Sequence, residues 1–466
     1  MEATADATTP ASCGVRRRVL LFPLPFQGHL NPMLQLAAAL HSRASLGVTV
    51  FHAAFNAPDP AAHPAGYRFV PVGDGVPSSD LLPTGKDPDI AGVLLRINER
   101  LQAPFKERLR EALAKEGEPP ACLVVDSNLR GMQMVAEELG VPTLVLRTGA
   151  AACLVAYMAF PELCDKGLLP PPSQDQAVLE MPLNELPPLR LGDVVFSTTS
   201  AYPTLLRCLR CLVESGRHSS GVIVNTIQDF ENSELRKIAR CLGVPIYAVG
   251  PLHKVSSGTE SSLLAQDRTC LEWLDKQDVG SVLYVSFGSV ASMDGNELLE
   301  AAWGLANSLS PFLWVIRPNS GQSSRQLSLP DGFEEETRGR GMVVTWAPQQ
   351  DVLGHRAIGG FWTHNGWNST LESICEGVPM ICRPQFADQM INARYVQDVW
   401  KIGFKLEDKL ERRKVQKAVS LLLCDEEGRE MRQRANVLKD KAVRCIEKGG
   451  TSNVALDLLL ERIMSF

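Results

Sequence analysis

Apolar residues fall in short, nearly unbroken runs, each ending abruptly in polar or turn-forming residues. A first series comprises RVLLFPL (18–24), VTVFHA (48–53), ACLVVD (121–126), TLVLR (143–147) and GVIVNT (221–226). A second comprises SVLYVSFG (281–288), FLWVIR (312–317), MVVTWAP (342–348), GGFWTH (359–364) and PMICRP (379–384). Between the runs the spacing turns helical, as in NPMLQLAAALHSR (31–43), where Asn31 suits the N-cap and Pro32 the first helical position. Strands that are apolar on both faces and alternate with helices belong to parallel sheets covered on both sides. The polar stretch HKVSSGTESSLLAQD (253–267) separates the two series, so the pattern predicts two doubly wound α/β domains and a linker. A chain of 466 residues is too long for one ordinary core, which agrees.

In open parallel sheets, ligands bind beyond the carboxyl ends of the strands. That rule singles out His29, Asp126, Ser289, Trp346, His364 and Asp388, and places a site between two facing sheets. FWTHNGWNSTLES (361–373) is the most informative of these turns. A strand stops at His364, the chain passes through Gly366, and a helix is expected to start near Ser369. The N–H groups at a helix N-terminus are unpaired and carry part of a positive charge. Gly366 permits close approach, Asn368 and Ser369 add donors, and His364 adds a donor or a charge, which is a cradle suited to a diphosphate. Ser369 and Glu372 also fit a capping box, but that leaves His364, Trp367 and Asn368 unexplained. His29, past the first strand, reads on its own as a cap or a packed core residue ahead of a catalytic base.

Composition narrows the partners. The chain is 45% hydrophobic and 21% charged with a net charge of −6, the profile of a soluble globular protein, and it has no basic stripe for nucleic acid. No run reaches the roughly 18–20 apolar residues that span a bilayer, so membrane insertion is not expected. The N-terminal RRRVLLFPLPF is broken by prolines and lacks a cleavage site, so it reads as a strand and not as a signal peptide. Twelve cysteines are scattered without the spacing of a disulfide framework, and a cytoplasmic monomer is expected. Cys208 and Cys211 form a lone C-x-x-C. Asp87-Pro-Asp89 has the form of a metal-binding D-x-D but sits in a polar loop away from any strand end. There is no G-x-S-x-G and no G-x-G-x-x-G after the first strand, which argues against a serine hydrolase and a nicotinamide or flavin oxidoreductase.

From Trp346 to Gln389 the chain reads WAPQQDVLGHRAIGGFWTHNGWNSTLESICEGVPMICRPQFADQ. This resembles the donor-binding signature of plant family-1 UDP-glycosyltransferases: the opening Trp-Ala-Pro-Gln, the central His-x-Gly-Trp-Asn-Ser, the downstream Glu and the closing Asp-Gln. PFQGHLNP near the N-terminus, VNT and VGPL (224–252) and YVSFGS (284–289) extend the likeness over essentially the whole chain. LPPLRLGD (186–193), VGPLHK (249–254) and DQMINARYVQDVWKIG (388–403) resemble the group that includes cytokinin, steviol and benzoxazinoid glucosyltransferases.

The resemblance implies a GT-B fold of two facing Rossmann-like domains. Residues 1–252 would bind the acceptor, 253–267 would be the linker, 268–450 would bind the UDP-sugar, and 451–466 would form a C-terminal helix crossing back to the first domain. It implies stacking of Trp346 on uracil, a backbone bond from Ala347 to the base, and ribose hydroxyls held by Gln349 and Glu372. Ser289, His364, Asn368 and Ser369 would hold the diphosphate, and Trp367, Asp388 and Gln389 the transferred sugar. His29 becomes the general base and Asp126 the residue that orients it, while Thr148, Met158 and Phe196 would line the acceptor pocket. The implied activity is inverting transfer of glucose from UDP-glucose to a hydroxyl, or a ring nitrogen, of a small apolar acceptor, giving a β-glucoside. No metal and no cofactor is expected. The alternatives are a catalytically silent binder of the same fold and the same transferase using another UDP-sugar. One position departs from the family pattern: Asn365 stands where many relatives carry cysteine.

Overall fold

The computed structural model describes residues 17–82, 89–114, 120–197, 199–256, 264–288, 293–317, 329–406 and 409–466. Among these residues the chain forms two parallel sheets. The first has β1 (Arg18–Phe22), β2 (Gly47–Ala53), β3 (Tyr67–Val72), β4 (Pro120–Asp126), β5 (Thr143–Arg147), β6 (Val222–Val224) and β7 (Ile246–Ala248), in the order β3-β2-β1-β4-β5-β6-β7. The second has β8 (Val282–Ser286), β9 (Phe312–Val315), β10 (Gly341–Val344), β11 (Ile358–Thr363), β12 (Met380–Cys382) and β13 (Gly403–Lys405), in the order β10-β9-β8-β11-β12-β13. Every residue of β5, β8 and β11 is buried, as continuous apolar runs between two helical layers require. Each sheet reverses direction beside its first strand, so each has a crevice at its carboxyl edge.

All ten apolar runs contain strands. The pattern missed β3, β7 and β13, and each lies at the edge of its sheet. β3 is mostly half-exposed, and β7 and β13 have three residues each, too few to display a period. A second difference bears on the site. The helix expected to begin at Asn31 runs from Gln27 to Ala44, with Phe26 as N-cap and Pro32 inside it. A proline there removes the N–H that would bond the Gly28 carbonyl. That carbonyl instead accepts a hydrogen bond of 2.7 Å from Asn368 Nδ2 of the second sheet's helical layer, so an apparent helix-start signal is an internal proline with an external partner.

Several further bonds lock the two halves. Arg394 Nε and Nη2 donate to Asp193 Oδ2 and Oδ1 at 2.8 and 3.3 Å, and both side chains are buried. The Tyr395 hydroxyl donates to Glu234 at 2.9 Å, and Lys254 pairs with Glu376. The helix Thr451–Met464 buries Leu456, Leu459 and Ile463 in the core beneath the first sheet, with Arg43–Asp457 at 2.6 Å on its flank. A buried carboxylate also shapes the first half. Glu231 accepts from the N–H groups of Ala151 and Ala152 at 2.9 and 2.8 Å and from the Thr226 hydroxyl at 2.6 Å, closing the N-terminus of the helix Ala151–Asp165.

Candidate active site

β1 delivers His29 on the first turn of its helix, and β4 ends in Asp126. The two meet with His29 Nδ1 2.7 Å from Asp126 Oδ2. Asp126 is fully buried, whereas a quarter of the His29 side chain remains open to the cleft. The other carboxylate oxygen accepts from the backbone N–H and the side-chain amide of Asn128, at 3.0 and 2.9 Å. Burial alone would raise the Asp126 pKa, but the His29 and Asn128 donors outweigh it and hold the carboxyl below its ordinary value. An ionised carboxylate only accepts, so Nδ1 carries the proton and the lone pair sits on Nε2. Thr148 Oγ1 lies 3.0 Å from Nδ1, which places Thr148 beside the imidazole as well as on the cleft wall.

Facing this pair is the turn after β11. The helix Trp367–Glu376 begins two residues earlier than expected, with Gly366 as N-cap and no side-chain capping bond. The capping-box expectation for Ser369 and Glu372 is therefore wrong. Ser369 stands at the third helical position and its hydroxyl accepts from Gln349 Nε2 at 3.0 Å, while Glu372 accepts from Gln349 at 2.7 Å and Gln350 at 3.2 Å. The first-turn N–H groups are left without side-chain caps at the mouth of the cleft, the arrangement that receives an anion. Asn365 sits in the left-handed region at φ 61°, which asparagine tolerates better than most residues, and turns the chain from strand to helix.

His364 opens on the cleft and is partly buried, and its buried Nδ1 has no hydrogen-bond partner among the described residues. Burial, with the nearby Arg317 guanidinium, pushes its pKa down to about 4. His364 therefore offers an N–H and not a charge at neutral pH until an anion arrives. Trp346, Ala347, Gln349, Asn368 and Ser369 line the same cleft as His29. So do Asp388, whose carboxylate accepts from Asn392 Nδ2 at 3.0 Å, and Gln389, whose Oε1 accepts from the N–H groups of Gln385 and Phe386 at 2.8 and 3.3 Å. Ser289 lies outside the described residues.

One expectation is narrowed and one is corrected. Trp367 lines the cleft, but its indole is buried and its N–H donates to the Asn225 carbonyl, just past β6, at 2.7 Å. It packs near Trp400 in a core that continues from one half into the other. Met158 is absent from the cleft wall and packs inward. Its neighbour Tyr157 lines the cleft instead, since one residue turns a helix by about 100°. Thr148 and Phe196 do line it.

The sequence reading overlooked Asn128, signalled only by a polar residue two places past a strand end, and Arg147, the charge that ends β5. The decoys fall away. Asp89 bonds the Gly92 N–H at 3.0 Å at a helix start, and its partner Asp87 lies outside the described residues. Cys208 and Cys211 are free thiols on the helix Tyr202–Arg217. Among the described residues no helix is long and apolar enough to cross a membrane.

Comparison with known proteins agrees with this geometry. Residues 261–449 match the family model described as "UDP-glucoronosyl and UDP-glucosyl transferase". A DIMBOA UDP-glucosyltransferase of Zea mays is 45% identical over 99% of this chain and 100% of its own length. UDP-glycosyltransferase 76B1 of Arabidopsis thaliana is 42% identical over 96% of this chain and 98% of its own. A solved structure from Phytolacca americana, complexed with UDP-2-fluoro-glucose and pterostilbene, is 28% identical and superposes with a TM-score of 0.78, covering 96% of this chain and all of that one. Two parallel-sheet domains facing across a cleft, and likeness along nearly the full length, lead to one conclusion: the chain is a glycosyltransferase of the GT-B fold and belongs to the plant family-1 UDP-glycosyltransferases.

Proposed function

We propose that the protein transfers glucose from UDP-glucose to a hydroxyl of a small, largely apolar plant metabolite, with inversion and without a metal. The observation that carries this reading is the His29–Asp126 pair opening on the same cleft as the uncapped helix start at Gly366. Residues 1–252 supply the base and the acceptor wall, and 268–450 supply the donor cradle.

Trp346 stacks on the uracil and Ala347 meets its edge. Gln349 and Glu372, already facing one another, receive the ribose hydroxyls. The diphosphate lies against the N–H groups of the helix start, Asn368, Ser369 and His364. Gln389 has both lone pairs of its amide oxygen occupied, which turns its NH2 outward as a donor, while Asp388 only accepts; together they suit vicinal sugar hydroxyls. The glucose assignment is supported by the closing Asp-Gln and by the maize relative's name.

In the reaction, His29 Nε2 takes the proton of the acceptor hydroxyl as the oxygen attacks the anomeric carbon, and Asp126 stabilises the imidazolium that forms. The bond to the UDP oxygen breaks from the opposite face, so an α-linked donor gives a β-glucoside. The charge developing on UDP is met by the helix start and by His364, whose protonation the bound diphosphate favours. The test is a time course of UDP release from UDP-glucose with a panel of phenols, terpenoid alcohols and hydroxamic acids, for the wild type and His29→Ala. Acceptor-dependent release that drops about 10²–10⁴-fold in the variant is expected. Tight UDP binding with no release for any acceptor would convert the protein into a silent binder.

A further inference from the structure

The acceptor side of the cleft is walled by apolar groups, among them Leu94, Phe196, Leu205 and Leu209, yet a guanidinium stands in it. Arg147, the last residue of β5, is only 5% exposed. Its Nε has no hydrogen-bond partner, and among the described residues it makes no ion pair. The groups that act on it are the Tyr157 phenol, whose ring centroid is 5.1 Å from its Cζ, the Cys153 thiol and the Asp388 carboxylate of the other half. Asp388 is itself held by Asn392. The side chain is folded against the strand end: a Cβ on Gly149 would come within 2.7 Å of Arg147 Nη2. A buried charge without a hydrogen-bonded anion is costly, and a guanidinium is the side chain best shaped to receive two oxygens at once.

We propose that Arg147 anchors a carboxylate, or a comparable anionic oxygen, of the acceptor, and so turns the acceptor's hydroxyl toward His29. The acceptor class is a small hydroxy acid with an apolar body. This rests on the transferase reading and adds the acceptor's chemistry to it. Arg147 adjoins Thr148, whose hydroxyl touches His29 Nδ1, so an anion bound there lies beside the base. A carboxylate could also reach the cleft on the donor, as a uronic acid, and the test separates the two sources.

The UDP-loaded protein is titrated calorimetrically with 2-, 3- and 4-hydroxybenzoate and with the methyl ester of each. The wild type is expected to bind at least one acid about tenfold or more tightly than its ester. Arg147→Met should erase that preference while leaving ester and UDP affinities within about twofold, and Arg147→Lys should restore part of it. UDP affinity and the melting temperature report that each variant is folded. The proposal is overturned if no acid binds more tightly than its ester, or if Arg147→Met leaves the acid-to-ester ratio unchanged. It is also overturned if the variant loses only the use of UDP-glucuronate over UDP-glucose with an uncharged phenol. Acid-selective binding without any UDP release would sink the transferase reading and leave the anion site standing.

Discussion

Replacing Asp126 by asparagine exchanges one oxygen for an NH2 and should silence the base. In the wild type one carboxylate oxygen faces two donors on Asn128, and the other faces His29 Nδ1. The asparagine oxygen must take the Asn128 side, because an NH2 there would confront two donors. Its NH2 then points at Nδ1, which can only accept, and the imidazole proton moves to Nε2. The nitrogen facing the acceptor hydroxyl thus loses its lone pair, with the fold intact. Base catalysis supplies about 10²–10⁴-fold, and the equivalent tautomer error in a serine protease costs about 10⁴ in kcat, so a loss of about 10³ in kcat is expected here. UDP release at saturating UDP-glucose measures it. Calorimetry with UDP, expected to change by less than about twofold, confirms an intact donor half. An Asp126→Asn enzyme within tenfold of wild type would refute the assignment of Nε2 as the base.

Three other outcomes can be checked independently. His364 is neutral in the free cleft with a pKa of about 4, and a diphosphate charge at about 4 Å in an effective dielectric near 20 favours its charged form by about 4 kcal/mol, or about 3 pKa units. UDP-glucose, whose phosphates do not titrate near neutrality, should therefore bind with proton uptake at pH 6 and more weakly as pH rises to 8. Calorimetry in two buffers should show that uptake disappear in His364→Asn. Asp193→Asn breaks a buried ion pair between the halves. Asp398 still holds Arg394 Nη1 at 3.1 Å, so a cost at the low end of the usual range, about 3 kcal/mol, is expected in urea denaturation. Burial pushes Glu231 up to about 6, against about 4.5 unfolded, so its contribution is fully present below pH 4.5 and is lost as pH rises through 6. Between pH 4.5 and 7.5 the wild type should lose about 2 kcal/mol more than Glu231→Gln, and equal pH slopes would contradict the role of burial.

The strand ends were legible because parallel sheets covered on both faces leave unbroken apolar runs, and His29, Trp346, His364 and Asp388 lie within a few residues past the strands those runs form. The edge strands were not legible, since a half-exposed or three-residue strand has no pattern of its own. Pro32 misled for a more instructive reason. Its local meaning is a helix start, and the group that makes an internal proline acceptable is Asn368, 340 residues from the Gly28 carbonyl it bonds. Ser369 and Glu372 misled likewise: their spacing fits a cap, but the Gln349 and Gln350 amides claim both side chains. Arg147 ended a correctly placed strand and still went unnoticed, because only the folded chain shows an enclosed charge with no hydrogen-bonded anion.

The proposed reaction is a single base-catalysed displacement across the cleft, with the leaving diphosphate held by protein groups alone. The most direct measurement is the anomeric configuration, by NMR, of the product first formed from UDP-glucose in the presence of EDTA. A β-glucoside at an undiminished rate is expected. An α-glucoside would replace the single displacement with a two-step route, and a rate that recovers only when magnesium is restored would contradict the role given to the helix start at Gly366.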